Sequence, residues 1–273
     1  MNRRTFLAGS LGAALVAASG EPARAAAGGR WWSGLIFAVL ENHGFSQVAS
    51  LPSHRRLFSE GTVLTRYSAV AHPSGPNYRA LASGATWGRD EAIQTFHPTI
   101  ASRAAELSPP VPTYVYHLAG TIALRHNPFL DLRAPVAGIR HGLEALRSDL
   151  EGTLPRAALL YAGWDDRNNM HDGDPSRADR NLTALLDVLA AARWFTTAGA
   201  GGRYPALFVC YDEDEGGDSN RVFAAWWGRG VRRGIASSVP HSHFSFCRTV
   251  TDNWGLAPLA EASSASAIGE AWI

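Results

Sequence analysis

Gly34-Leu35-Ile36-Phe37-Ala38-Val39-Leu40, followed at once by Glu41-Asn42-His43-Gly44, decides the fold. Seven residues without a polar side chain are too few for a buried helix and suit a strand covered on both faces. Working outward, Thr62 to Tyr67, Pro112 to Tyr116, Ala157 to Tyr161, Ala206 to Tyr211 and Arg221 to Trp227 read as further strands. Helical patterns lie between them at Asn77 to Ser83, Thr99 to Leu107, His141 to Leu150, Ser176 to Phe195 and Phe244 to Trp254. The fourth is the clearest: Asp174-Pro175 opens it, and Leu182, Leu185, Leu186 and Leu189 share one face. Alternating strands and helices predict an α/β fold, a mostly parallel sheet sandwiched by helices. Gly199 to Gly202 follows a helix and precedes a strand, the reverse of a dinucleotide-binding fingerprint.

Composition narrows the chemistry. All 25 basic residues are arginine, which excludes a Walker A loop, a lysine Schiff base and a Ser-Lys dyad. The N-terminus, with Arg3-Arg4-Thr5-Phe6-Leu7, a small apolar run and Ala23-Arg24-Ala25, reads as a signal peptide over residues 1–27. Its paired arginines match a twin-arginine export signal, so the expectation is an exported protein, periplasmic or secreted, with one domain over 28–273. Without Arg3, Arg4, Arg24 and Glu21, 22 basic side chains face 23 acidic ones, which gives no electrostatic case for nucleic acid or an anionic membrane. No integral membrane segment is expected after the signal. Cys210 and Cys247 are expected to be buried, unpaired thiols.

In an open parallel sheet, ligands bind beyond the carboxyl ends of the strands. Five consecutive strand ends here lead into Glu41-Asn42, His72-Pro73-Ser74-Gly75-Pro76-Asn77-Tyr78, Arg125-His126-Asn127-Pro128, Asn169-Met170-His171-Asp172 and Asp212-Glu213-Asp214. Glu41, Asp212 and Glu213, with the carbonyl of Asn42, are hard oxygen ligands for one divalent cation. Ser74 begins a helix and needs a metal or a base to become a nucleophile. His126 and His171 can donate to phosphoryl oxygens or protonate a leaving alkoxide. Together these groups read as phosphoryl transfer through a phosphoserine.

Taken singly, each piece has a blander reading: Asn42 as a helix cap, Ser74 as a turn residue, Asp212 to Asp218 as a solvated acidic loop. That loop fails the EF-hand pattern, since Gly216 stands where an oxygen ligand is required. His43, His54, His97, His117 and His141 carry no clear role, and His241 is equally natural as a loop histidine or a metal ligand. A metal-independent serine esterase is one rival, but His72 and Pro76 occupy the glycine positions of G-x-S-x-G. A non-catalytic exported binding protein is another, and it would require degraded metal positions.

The ordered segments resemble a bacterial phosphoesterase family of acid phosphatases and phosphatidylcholine-type phospholipases C, within the alkaline-phosphatase-like superfamily. The resemblance runs from about Leu35 to Pro258 and ends on His243-Phe244-Ser245 with Asp252-Asn253-Trp254-Gly255. It implies an alkaline-phosphatase-like core, with Glu41, Asn42, Ser74, Asp212 and Glu213 at the metal and Ser74 as nucleophile. It further implies His126 and His171 in catalysis, with Asn42, Asn127, Asp172 and His243 toward a small phosphorylated substrate. Asn169 departs from the aspartate that relatives often carry before Met-His-Asp, while Gly75 and Arg79 alter the helix after the nucleophile. The larger phospholipases C have extra C-terminal modules that this chain lacks, so the expected activity is an acid-phosphatase-like phosphomonoesterase, with a phospholipase C-like phosphodiesterase as the alternative.

Overall fold

A computed structural model describes residues 28–273; the predicted signal peptide lies outside the described residues. The deciding stretch forms strand β1 (Leu35–Leu40), buried along its whole length. Two short helices, α1 (Phe45–Val48) and α2 (Pro52–Glu60), lead to strands β2 (Thr62–Leu64) and β3 (Tyr67–Ser68) and to α3 (Ser74–Ser83). Then come α4 (Ile100–Ala105), β4 (Thr113–Ala119), α5 (Pro128–Asp131), β5 (Gly138–His141), α6 (Leu143–Gly152) and β6 (Leu159–Trp164). The chain continues through α7 (Pro175–Ala191), α8 (Arg193–Thr196), β7 (Ala206–Tyr211), β8 (Ala224–Trp227), β9 (Ile235–Ser237), β10 (His241–Ser242) and α9 (His243–Asn253).

Eight strands form one sheet in the order β5-β4-β6-β1-β7-β8-β2-β9. All its pairings are parallel except those of β8, which runs antiparallel to β7 and β2. The predicted mostly parallel sheet is therefore what the chain builds. β1 lies at its centre, between β6 and β7, because its apolar residues have both faces covered: Phe37 meets Phe246 of α9, while on β7 Tyr211 meets His54 of α2. Cys210 and Cys247 are both free and buried, as expected.

Several elements differ from the sequence reading, three of them with a visible cause. The expected strand from Thr62 to Tyr67 splits in two, since Thr65 closes its amide and its hydroxyl on the Ser237 carbonyl and the chain then leaves the main sheet. Its second half, β3, pairs with β10 in a separate ribbon. The long helix from Ser176 ends at Ala191, because Ala192 is extended (φ −68°, ψ 130°), and α8 restarts beyond it. Helix α2 had no apolar stripe to announce it: its buried face is Ser53, His54 and Leu57.

Register does the functional work. Leu40 stands opposite Tyr211, so the residues that follow each, Glu41 and Asp212, leave the sheet side by side.

On the α9 side of the sheet, Arg79 of α3 is fully buried and pairs with Asp131 of α5 at 3.0 Å. Its other donors bond the carbonyls of Thr86 and Asp90, at 2.7 and 2.6 Å, while Asp131 also accepts from the amides of Ile93 and Gln94. Arg79 thus faces neither substrate nor solvent; it ties the loop at 85–98 to α3. Removing one partner of such a pair strands the other charge in the interior. Asp131→Ala is expected to lower stability by about 3–5 kcal/mol, read as a lower urea midpoint without a change in slope.

Candidate active site

Ser74 is the first residue of α3, after Pro73 as N-cap. Its Oγ lies 3.1 Å from Glu213 Oε1, 3.2 Å from Glu41 Oε2 and 3.5 Å from Asn42 Oδ1. One hydroxyl proton faces three acceptors from two strand ends, and no imidazole is hydrogen-bonded to it. The structure therefore provides no Ser-His arrangement at Ser74, and the metal-independent esterase reading loses its base. Gly75 is required by space: a Cβ there would sit 2.0 Å from the Glu91 carbonyl oxygen. Asn42 adopts a left-handed backbone (φ +56°), a conformation that asparagine tolerates, and its amide reaches Asp212 Oδ1 at 3.0 Å.

Glu41, Asp212 and Glu213 are buried, and Asp212 Oδ2 has no hydrogen-bond partner. Burial, then the neighbouring Asp212 charge, holds the Glu41 carboxyl well above the usual carboxylate range. Burial and the adjacent Glu213 push Asp212 up to about 7. Glu213 is also pushed up to about 7, chiefly by burial, with the Ser74 hydrogen bond opposing and the Glu91 and Glu215 charges adding. Crowded, desolvated carboxylates with an orphaned oxygen are what a hard divalent cation would satisfy, so the oxygen set of Glu41, Asn42, Asp212 and Glu213 fits one. As placed, this set is not the tightest donor group among the described residues. Glu213 Oε2 turns to His72 Nδ1 at 2.6 Å, whereas Glu41, His126 and His171 each bring a ligand atom within 4.8 Å of the others.

His126, delivered by the turn after β4, is buried between two carboxylates. Its Nε2 is 3.4 Å from Glu41 Oε2 and its Nδ1 3.1 Å from Asp166 Oδ1, yet neither nitrogen makes a hydrogen bond of proper geometry. Burial, with Arg125 and His171 nearby, pushes its pKa down to about 3, so the ring is neutral and carries one proton. Tyr161 holds its carbonyl at 2.5 Å and Tyr78 stacks on its ring. His171 lies with its ring centroid 5.6 Å from that of His126 and is partly exposed; its Nδ1 is 2.7 Å from Asp172 Oδ1.

Three expected substrate contacts, His243, Asn127 and Asp172, have partners within the protein. His243 is fully buried with both nitrogens engaged, Nε2 on the Asp212 carbonyl at 2.7 Å and Nδ1 on the Tyr67 hydroxyl at 3.1 Å. It braces the strand end through the Asp212 carbonyl, while Phe246 of the same helix packs on Phe37 of β1. Asn127 caps α5 through Oδ1, and its Nδ2 is buried without a partner. Asp172 is exposed and holds His171; a carboxylate there would repel a phosphate. His241 pairs with Glu270 at 2.9 Å. Two contributors were missed. Tyr78, inside the quoted serine motif, donates to Glu41, and Asp166 faces His126. An aromatic four residues after the serine, one helical turn on, was the available signal for Tyr78.

No family model matches the chain. It is 27% identical to a phosphatidylinositol-3-phosphatase of Mycobacterium tuberculosis, over 97% of this chain and 91% of that protein. It is 26% identical to a phosphate-repressible acid phosphatase of Penicillium chrysogenum, over 81% of this chain but only 58% of the fungal one. An alkaline phosphatase superfamily protein of Vibrio parahaemolyticus superposes with a TM-score of 0.63 at 14% identity, covering 84% of this chain and 68% of that one. With an eight-stranded sheet of this order, acidic strand ends converging on a helix-initial serine, and these relatives, the chain is similar to phosphatases in sequence and shares its fold with the alkaline phosphatase superfamily.

Proposed function

We propose that this protein is an exported, metal-dependent phosphomonoesterase that works through a phosphoserine on Ser74. The observation that carries the reading is the Ser74 hydroxyl at the start of α3, held 3.1–3.5 Å from oxygens of Glu213, Glu41 and Asn42. Glu41, Asn42, Asp212 and Glu213 would hold one divalent cation. Bound there, it would lower the pKa of the Ser74 hydroxyl and offset charge on the phosphoryl group. Ser74 Oγ then forms the new O–P bond as the ester P–O bond breaks, and water later cleaves the phosphoserine. Neutral His126 keeps its one ring proton and donates a hydrogen bond through it to a phosphoryl oxygen. His171, oriented by Asp172, protonates the departing alkoxide.

Support for the monoester comes from the relatives, which are named as phosphatases. Among the described residues no helix is long and apolar enough to cross a membrane. Aryl phosphate assayed beside aryl phosphorylcholine, each with and without chelator, tests the reading. Chelator-sensitive turnover of the first alone supports it, preference for the second identifies a phosphodiesterase, and full activity in chelator rejects the metal. His171→Ala is expected to slow an alkyl phosphate roughly 10²–10⁴-fold, and a 4-nitrophenyl ester, whose leaving group needs no proton, much less. Equal slowing of both esters would place His171 on the phosphate instead.

A further inference from the structure

Helix α2 carries a buried histidine that the proposed reaction does not use. His54 Nδ1 is 3.0 Å from Ser53 Oγ, which is 2.5 Å from Asp179 Oδ1 of α7. On its other side, His54 Nε2 is 3.0 Å from the Tyr211 hydroxyl, and that hydroxyl touches Met170 Sδ at 3.3 Å. His54 and Tyr211 are fully buried, and Ser53, Asp179 and Met170 nearly so. Met170 and Tyr211 are the residues just before His171 and Asp212.

Proton counting orders this chain. Burial pushes Asp179 up, but its hydrogen bonds with His54 and Ser53 outweigh that and leave it ionised. Burial lowers the His54 pKa, so the ring is neutral at pH 7 despite the nearby Asp179. Ser53 has one hydroxyl proton and gives it to Asp179, so its oxygen accepts from His54 Nδ1–H. His54 Nε2 is then an acceptor, and the Tyr211 O–H donates to it. The hydroxyl oxygen therefore sits between His54 Nε2 and Met170 Sδ, 3.0 and 3.3 Å away, with its one proton turned to His54 and its distance to the sulfur fixed by that bond.

Met170 needs such support. Its backbone is left-handed (φ +87°), a region that a side-chain-bearing residue holds only when its surroundings fix it. The His171 amide is tied to Asn169 Oδ1 and the Asp172 amide to the Asp166 carbonyl, both at 2.9 Å, and the Met170 side chain is a further handle on the peptide that presents the His171 ring. The geometry points to Tyr211, locked by the His54–Ser53–Asp179 relay, as a positioning residue that sets the His171 imidazole through Met170. This rests on the proposed acid role of His171.

Four proteins test it: wild type, Tyr211→Phe, His171→Ala and the double variant, each assayed on an alkyl phosphate and on 4-nitrophenyl phosphate. Tyr211→Phe is expected to lower kcat for the alkyl ester about ten-fold, with KM and the 4-nitrophenyl rate within about two-fold. In the His171→Ala background the same change should cost nothing further on the alkyl ester. An equal loss in both backgrounds, an equal loss on both esters, or full kcat in folded Tyr211→Phe would overturn the proposal. If His171→Ala itself slows both esters alike, the acid assignment fails, while the cycle still reports whether Tyr211 acts through His171. Should Tyr211→Phe not fold, Met170→Ala breaks the same contact from the loop side and should show the same selective loss, whereas Met170→Leu should restore the rate. Full kcat in Met170→Ala would likewise overturn it.

Discussion

Ser74→Ala should abolish turnover of an aryl phosphate, by about 10⁴-fold or more, and leave the fold intact. The methyl group keeps the start of α3 and fills nearly the same space, but the one oxygen that Glu41, Asn42 and Glu213 surround is gone. Nothing else in that shell can attack phosphorus: His126 is neutral with its nitrogens facing carboxylates, and Asp212 and Glu213 are the proposed ligands. Circular dichroism should superpose on wild type, since the serine hydroxyl supports no backbone group. A serine variant with near wild-type turnover would exclude covalent catalysis at this position.

Chelation should cost this protein stability, and more at pH 8 than at pH 5. Glu41, Asp212 and Glu213 all have folded-state pKa values raised above those of the unfolded chain, by burial first and then by neighbouring carboxylates: Asp212 for Glu41, Glu213 for Asp212, and Glu91 and Glu215 for Glu213. Between about pH 4 and 7 the folded state therefore binds more protons than the unfolded one, and stability falls as pH rises. Below the unfolded carboxylate values the contribution is fully present; above about 7 it is lost for Asp212 and Glu213, and the ionised groups repel. A divalent cation held by these carboxylates would replace those protons, so it should bind more tightly and stabilise more as pH rises. The expected gap in Tm between cation-loaded and chelated protein is on the order of 10 °C at pH 8, shrinking toward pH 5. Thermal scans across a pH series with magnesium, manganese, calcium or chelator measure it. Identical melting with and without every cation at pH 8 would mean that these carboxylates hold no metal.

The site was legible where chemistry sits at a strand end. Glu41 and Asp212 each follow a run of buried apolar residues, and such runs declare both the strand and the point where it stops. The partners of His243 are not legible in sequence, because a histidine near a motif looks the same whether its ring is free or bonds a strand-end carbonyl. Asp172 was given to the substrate although its neighbour takes it, a choice made by a side-chain rotamer that local sequence does not encode. His54 looked inert, since its partners Asp179 and Tyr211 lie 125 and 157 residues away.

Sequence alone determined the alternation of strands and helices, the central strand and the residue types at its carboxyl edge, because hydrophobic periodicity is local and burial follows it. Tertiary structure decided which oxygens surround Ser74, which histidine is buried between two carboxylates, and how α2 reaches the loop that carries His171. Those outcomes depend on desolvation and on contacts between segments far apart in the chain, and both arise only once the sheet register sets Glu41 beside Asp212.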